Sequence, residues 1–246
     1  MSLTTTGLVL KVNDVGESDR VITLLTADYG VMHCFANRAK KINGKMQSAT
    51  QSLCYGEFTI YSGKDSYIIS AAEAKEVFFD LRNDIVAVSL AQYFCSLAME
   101  LIPEGEPAPQ SLRVILNSMA FLQNKRRSLD FIKAVTELKL IALAGFAPSV
   151  GECKKCGNKD GGKGYFNTRS GKFTCINCGA DGMPISAGVM MAMRHIISSP
   201  VDRIYSFSLP DEDTKTLTNI SEDFVLNMTG KKFKTLDFYK TMSFGS

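Results

Sequence analysis

The chain has 246 residues, 45% of them hydrophobic and 22% charged, with a formal net charge of +3. That length admits one large domain or two to three small ones, and the apolar fraction suffices for a sizeable core. The charge is too mild for a uniformly polycationic binder, so a nucleic-acid footprint must come from local clusters, and no apolar run is long enough to span a bilayer.

The first 70 or so residues read as all-β. Segments 6–12, 20–26, 31–35, 54–61 and 67–71 are short and rich in β-branched or aromatic residues. Turn signals separate them at Asp14-Val15-Gly16, Asp28-Tyr29-Gly30, Asn43-Gly44 and Ser62-Gly63-Lys64-Asp65. Five short strands in so short a stretch suit a closed barrel, because closure removes exposed edges. An OB-fold is the first expectation and an SH3-like barrel the second.

From about residue 74 the period changes. Ile85, Val88, Ala91, Phe94, Cys95, Ala98, Leu101 and Ile102 recur at helical spacing, and Pro103, Pro107 and Pro109 end that helix. Leu112, Ile115, Leu116 and Met119 mark a second helix. Leu129, Ile132, Val135, Leu138 and Ile141 mark a third, which stops at Gly145 with Pro148 beyond. Ser186 can cap a helix running to Ile197. Residues 211–228 read as another, with Asp211, Glu212 and Asp213 suited to its first turn.

Between these helices lie Cys153-x-x-Cys156-Gly157 and Cys175-x-x-Cys178-Gly179, with eighteen residues between Cys156 and Cys175. Two such pairs at that separation are a strong zinc signal. Zn²⁺ takes four ligands tetrahedrally, and thiolates are favoured among them. The glycine after each pair can adopt the positive φ of a tight knuckle. Tyr165-Phe166 and Phe173-Thr174, joined by residues 169–172, read as a hairpin, which makes the whole a zinc ribbon. Disulfides and a thioredoxin-like redox pair are the competing readings, but Cys34, Cys54 and Cys95 are scattered in apolar stretches, no secretory signal is apparent, and the redox motif does not come twice around a hairpin. A four-thiolate site has no open position, so the expected Zn²⁺ is structural.

Enzyme signatures are nearly absent. The two histidines, His33 and His195, sit in a strand pattern and a helix pattern and read as structural. The chain has no H-E-x-x-H, G-x-S-x-G or phosphate-loop motif, and the run 161–164 reads as a flexible link. Basic clusters are more informative. Arg38, Lys40, Lys41 and Lys45 lie between strands three and four with no acid among them, as a phosphate-binding loop would. Phe35, Tyr55 and Phe58 lie near it in sequence and are expected mainly in the core, with base stacking as the other reading. Lys125-Arg126-Arg127 is expected to begin the third helix, against its dipole. Lys154, Lys155, Lys159, Lys163, Arg169 and Lys172 make the ribbon basic, and Lys231, Lys232 and Lys234 form a last cluster.

Several of these stretches together resemble the RecO family of bacterial recombination mediators. They are 7–12, Gly16-Glu17-Ser18-Asp19-Arg20, Leu24-Leu25-Thr26 with Gly30, the basic loop 38–41, the run 137–148 leading into Cys153-Lys154-Lys155-Cys156-Gly157, and 231–236. The last segment is more basic than the family pattern, so Lys231 and Lys232 are given no role. The resemblance implies an α+β multidomain protein: an N-terminal OB-fold β-barrel at 1–76, an all-α helical body at 77–150 and 183–246, and a four-cysteine zinc ribbon inserted at 151–182. It implies binding of single- and double-stranded DNA and annealing of complementary strands. It further implies loading of RecA with RecR onto DNA coated by single-strand-binding protein, whose C-terminal tail would dock on the helical body.

No catalytic residue is expected, nor any membrane association, and the place is the bacterial cytoplasm at the nucleoid. Arg20, Arg38, Lys40, Lys41 and Lys45 are the expected DNA contacts. Lys133 and Lys139, near Leu138 and Ile141, are the expected edge of an apolar groove for the acidic tail. A zinc-ribbon nucleic-acid enzyme subunit and a protein-only zinc adaptor are the alternative functions.

Overall fold

A computed structural model describes residues 2–41, 45–63, 66–160 and 162–244, the side chains of Lys45 and Phe244 excepted. The turn expected at Asn43-Gly44, the second half of that at 62–65, and Gly161 lie outside the described residues.

The first strands are β1 (Ser2–Val15), β2 (Asp19–Thr26) and β3 (Gly30–Ala36), followed by β4 (Tyr55–Ser62) and β5 (Tyr67–Glu76). They close into an OB-like barrel in the order β1-β2-β3-β5-β4. Closure depends on the 14-residue β1. Its first half pairs with β4 and its second half with β2, across a register shift between Val9 and Lys11. Such an irregularity bends a strand, which lets one strand serve two neighbours. A short parallel pairing, Cys34 with Tyr67 and Phe35 with Ile68, joins β3 to β5. Alternate residues point inward, and Val9, Ile22, Leu24, Cys34, Phe58 and Ile60 fill the barrel without solvent exposure. The strands run longer than the sequence suggests because ladder hydrogen bonds carry them past the β-branched runs. A short helix, α1 (Lys45–Ala49), joins β3 to β4 and was not expected.

Two helices follow: α2 (Ile85–Leu101) and α3 (Pro109–Asn124). Asp84 caps α2, accepting from the amides of Val86 and Ala87. Pro109 opens α3, a position where its missing N–H costs nothing. The C-terminal helix α7 (Lys234–Phe244), also not expected, packs on α2, with Tyr93 and Phe233 edge to face at 5.7 Å. Residues 1–123 and 233–246 form one compact unit.

Residues 124–232 form the other. Its centre is α4 (Leu129–Ile141), buried from Phe131 to Ile141 on every face. The helix runs into a π turn, Ala142–Phe146, that closes at Gly145. Ser128 caps α4, so Lys125, Arg126 and Arg127 precede the helix rather than begin it. Arg127 donates to the Tyr205 carbonyl at 3.1 Å and lies over the Phe131 ring, which gives it a structural role. Helices α5 (Ala187–Ser198) and α6 (Asp211–Thr229) pack on α4 and on each other, so helices from both sides of the cysteine segment share a core. That segment is a three-stranded antiparallel sheet, β7-β6-β8, of β6 (Gly164–Asn167), β7 (Lys172–Cys175) and β8 (Met183–Ile185).

Candidate metal centre and nucleic-acid interface

The ribbon's strands exist to carry two knuckles. Cys153 and Cys156 belong to the first, which precedes β6; Cys175 ends β7, and Cys178 closes the 3-10 turn after it. Gly157 has φ 71 and Gly179 φ 92, so both knuckles turn through the left-handed region that glycine tolerates best. All four sulfur atoms lie within 4.8 Å of one another. Cys156 Sγ is 3.7 Å from Cys175 Sγ. A tetrahedron with Zn–S bonds of about 2.3 Å has S···S edges of about 3.8 Å. The donor set therefore fits a tetrahedral metal ion.

The surroundings favour thiolate at one corner. The Cys175 amide donates to Cys153 Sγ at 3.3 Å and lowers that thiol to about 6. Hydrogen bonding to Cys156 and Cys175 pushes Cys178 up to about 12. Arg194 on α5, which belongs to no sequence motif, secures the first knuckle. Its Nε donates to the Val150 carbonyl at 2.6 Å, and its terminal nitrogens reach the carbonyls of Gly151 and Lys159. The ribbon's basic character is partly offset, because Lys154 pairs with Asp181 and holds its carboxyl below the ordinary range.

The barrel loop after β3 is less uniformly basic than its sequence. The β1–β2 turn brings two acids to it. Asp14 pairs with Lys40 Nζ and Arg20 Nε, each at 3.3 Å. Burial works to raise Asp14's pKa, but those two cations prevail and lower it. Asp19 accepts from the Arg38 backbone N–H at 2.7 Å, and its carboxyl is held below its ordinary value chiefly by that bond. Arg20 also donates to Thr50 Oγ1 at 2.9 Å and to the Gln47 carbonyl at 3.2 Å, and is largely covered. Arg38 and Lys41 are exposed. Lys45 opens α1, and its side chain lies outside the described residues. The five cations expected at one DNA surface thus divide: Arg38 and Lys41 face solvent, whereas Arg20 and Lys40 share Asp14. Phe58 is core as expected, but Phe35 is 42% exposed.

The groove expected at Lys133, Lys139, Leu138 and Ile141 is corrected by their burial. Leu138 and Ile141 are fully enclosed, and Lys133 is 1% exposed. Lys133 Nζ lies 2.9 Å from Glu137 and 3.0 Å from Glu222. Burial opposes its charge, but Glu137 and then Glu222 raise its pKa above the ordinary lysine value. Ser221 Oγ donates to Glu137 at 2.6 Å. Lys139 donates to the carbonyls of Ile197 and Ser199, capping the end of α5. Lys133 and Glu137 sit on one face of α4 at i and i+4, so an internal pair was available to the eye in the sequence.

Two family models cover nearly the whole chain. The one described as Recombination protein O N terminal matches residues 1–78, and the one described as Recombination protein O C terminal matches residues 82–237. The chain belongs to the RecO family. Among curated RecO proteins, the chain is similar to the DNA repair protein RecO of Acetivibrio thermocellus, at 31% identity over 98% of this chain and 97% of that one. Similarity extends to the DNA repair proteins RecO of Caldicellulosiruptor bescii, 26% identical over 96% and 97%, and of Bacillus pumilus, 25% identical over 98% and 95%. The boundary between the two RecO models, at residues 78–82, falls between the end of β5 and the start of α2.

Proposed function

We propose that this RecO-family chain acts in DNA repair as a recombination mediator without turnover. It binds single- and double-stranded DNA and anneals complementary strands. With RecR, it loads RecA onto DNA coated by single-strand-binding protein. The observation that carries the reading is the exposed pair Arg38 and Lys41 on the loop of an OB-like barrel, in a chain of this family. Lysine and arginine there neutralise phosphates and release counterions, which gives affinity without sequence preference. Annealing then needs no catalytic side chain, because lowering the repulsion between two polyanions and holding them close is sufficient.

One Zn²⁺ held by Cys153, Cys156, Cys175 and Cys178 serves the fold of the ribbon, since four thiolates leave no coordination position for substrate. The domain reading that accompanies this function keeps the barrel at 1–76, the helical body at 77–150 and 183–246, and the ribbon at 151–182. The acidic tail of the single-strand-binding protein is a partner of this reading, docked elsewhere than on the enclosed face of α4. The place of action is the bacterial cytoplasm, at the nucleoid. No helix among the described residues is long and apolar enough to cross a membrane.

The test is annealing of two complementary labelled oligonucleotides, bare or coated with single-strand-binding protein. Faster annealing on coated strands supports the mediator. Annealing of bare strands alone leaves a generic DNA binder. The double variant Arg38→Glu/Lys41→Glu is expected to weaken binding to all sequences alike and to flatten the salt dependence, by about 1 in log–log slope per lost phosphate contact. An unchanged slope removes this loop from the footprint.

A further inference from the structure

Along β3, from Tyr29 to Phe35, the barrel has a second surface of different chemistry. A cleft of about 570 Å³ opens there, with Tyr29, Met32, Phe35 and Tyr67 among its lining residues. Phe35 and Tyr67 are each 42% exposed and Tyr29 36%, so three rings of this barrel face solvent together. Apolar clefts of this size with a few fixed polar groups are binding sites by default.

The polar group here is built rather than incidental. The segment after α2 is tied to the β2–β3 turn: Val31 N donates to the Pro103 carbonyl at 3.3 Å and Gly105 N to the Tyr29 carbonyl at 3.0 Å. Gly30 at φ 60 permits this approach, since a Cβ there would sit 2.4 Å from the Pro103 oxygen. That segment delivers Glu104 to the cleft. His33 Nε2 lies 3.2 Å from Glu104 Oε1, and His33 Nδ1 lies 3.2 Å from Oγ1 of the buried Thr23. A threonine in the barrel wall thus orients an imidazole, which orients a carboxylate beside three aromatic rings.

We propose that this cleft docks an arginine side chain from an extended segment of a partner protein. A planar guanidinium stacks on aromatic faces and offers a carboxylate paired N–H donors, and it is less tightly hydrated than an ammonium. Glu104, the acid among the described lining residues, would repel the phosphates that accompany each base, which weighs against the other reading, a platform for DNA bases. This site goes beyond the nucleic-acid reading and does not depend on it.

The test uses the full chain with ¹³C-labelled tyrosine and phenylalanine rings. The probes are acetyl-Gly-Arg-Gly-amide, its neutral citrulline counterpart and oligothymidylate. Saturable shifts confined to Tyr29, Phe35 and Tyr67 are expected with the arginine peptide, at an affinity about fivefold above that of citrulline. Glu104→Gln and Tyr67→Ala should each lose that preference while the Phe58 core resonance stays in place, since both side chains are exposed and Phe58 reports the barrel fold. Equal affinity for the two peptides, or no shift with either, overturns the proposal. So does oligothymidylate shifting the same rings in the parent chain at lower concentration than the arginine peptide, which would make the cleft a base platform.

Discussion

The barrel and the ribbon are both small β structures, yet they are held by different bonds. The barrel closes on itself, so its ladders satisfy the backbone all the way round, and an apolar cluster with Phe58 and Ile60 at full burial fills it. The ribbon has strands of four, four and three residues and presents two edges. So short a sheet buries too little to fold alone. What it has instead is four sulfur atoms gathered within 4.8 Å, a knuckle clamp from Arg194, and Phe166 against Phe224. One region is secured by backbone and volume, the other by a few side chains that must be in the right chemical state. The second kind of stability can be switched off by changing one atom.

The largest expected effect breaks the comparison at that point. Exhaustive chelation at neutral pH should melt the ribbon and leave the barrel. Structural zinc supplies apparent binding energies of about 10–16 kcal/mol in small fingers, and this energy is folding energy. Hydrogen exchange is the measurement: amides of Gly164–Asn167 and Lys172–Cys175 should lose protection, while those of β2 and β4 keep theirs. Cys153→Ser should act in the same direction. Unchanged protection of β6 and β7 after verified metal removal would mean that packing on α6 holds the ribbon without metal.

A smaller effect sharpens it inside the helical core that flanks the ribbon. Lys133 is enclosed with Glu137 and Glu222, so removing one partner strands a buried charge. Lys133→Met should cost about 3–5 kcal/mol in urea denaturation, and Lys133→Met/Glu137→Leu should recover part of it, because a filled apolar pair is often as good as a buried ionic one. The folded pKa of Lys133 is raised, so its contribution is fully present below the ordinary lysine value of 10.5 and is lost as pH rises through the higher folded value. A loss under about 1 kcal/mol in the single variant would show that water reaches this site, as it reaches surface pairs.

How legible the molecule was in its sequence follows the same divide. The barrel strands could be read because alternation and turn residues are local signals, and Ser186 and the acidic start of α6 could be read because caps are local too. The cysteine spacing marked the ribbon for the same reason. What could not be read depends on chain brought from elsewhere. Asp14 and Asp19 stand beside the basic loop only because β1 and β2 pair, so a stretch without acids in sequence has two acids beside it in space. Arg194 shows no motif, since its partners are three carbonyls between 35 and 44 residues upstream. The apolar run of α4 marked its helix correctly, but periodicity has no means of showing that a helix is covered on every side, and so Lys133 and Lys139 looked like surface cations.

The smallest effect lies on the barrel, where a side chain does help the backbone. Arg38 adopts φ 55, a costly conformation for a side-chain-bearing residue, and its N–H is held by Asp19. That bond favours the ionised carboxylate, so the folded pKa of Asp19 lies below 3.8. A depressed carboxylate pKa stabilises the fold above the unfolded value and loses that contribution as pH falls through the folded one. The loop should therefore hold its shape down to about pH 4, the ordinary aspartate value, and loosen only below it. The Arg38 amide resonance reports this directly: its acid titration should have a midpoint under 3.8, and Asp19→Asn should abolish it while the barrel amides stay unmoved. A midpoint at or above 3.8 would mean that Asp19 does not set the loop. The exposed cations Arg38 and Lys41 would then be presented by backbone strain alone, and the barrel would be still more independent of side-chain chemistry than the ribbon.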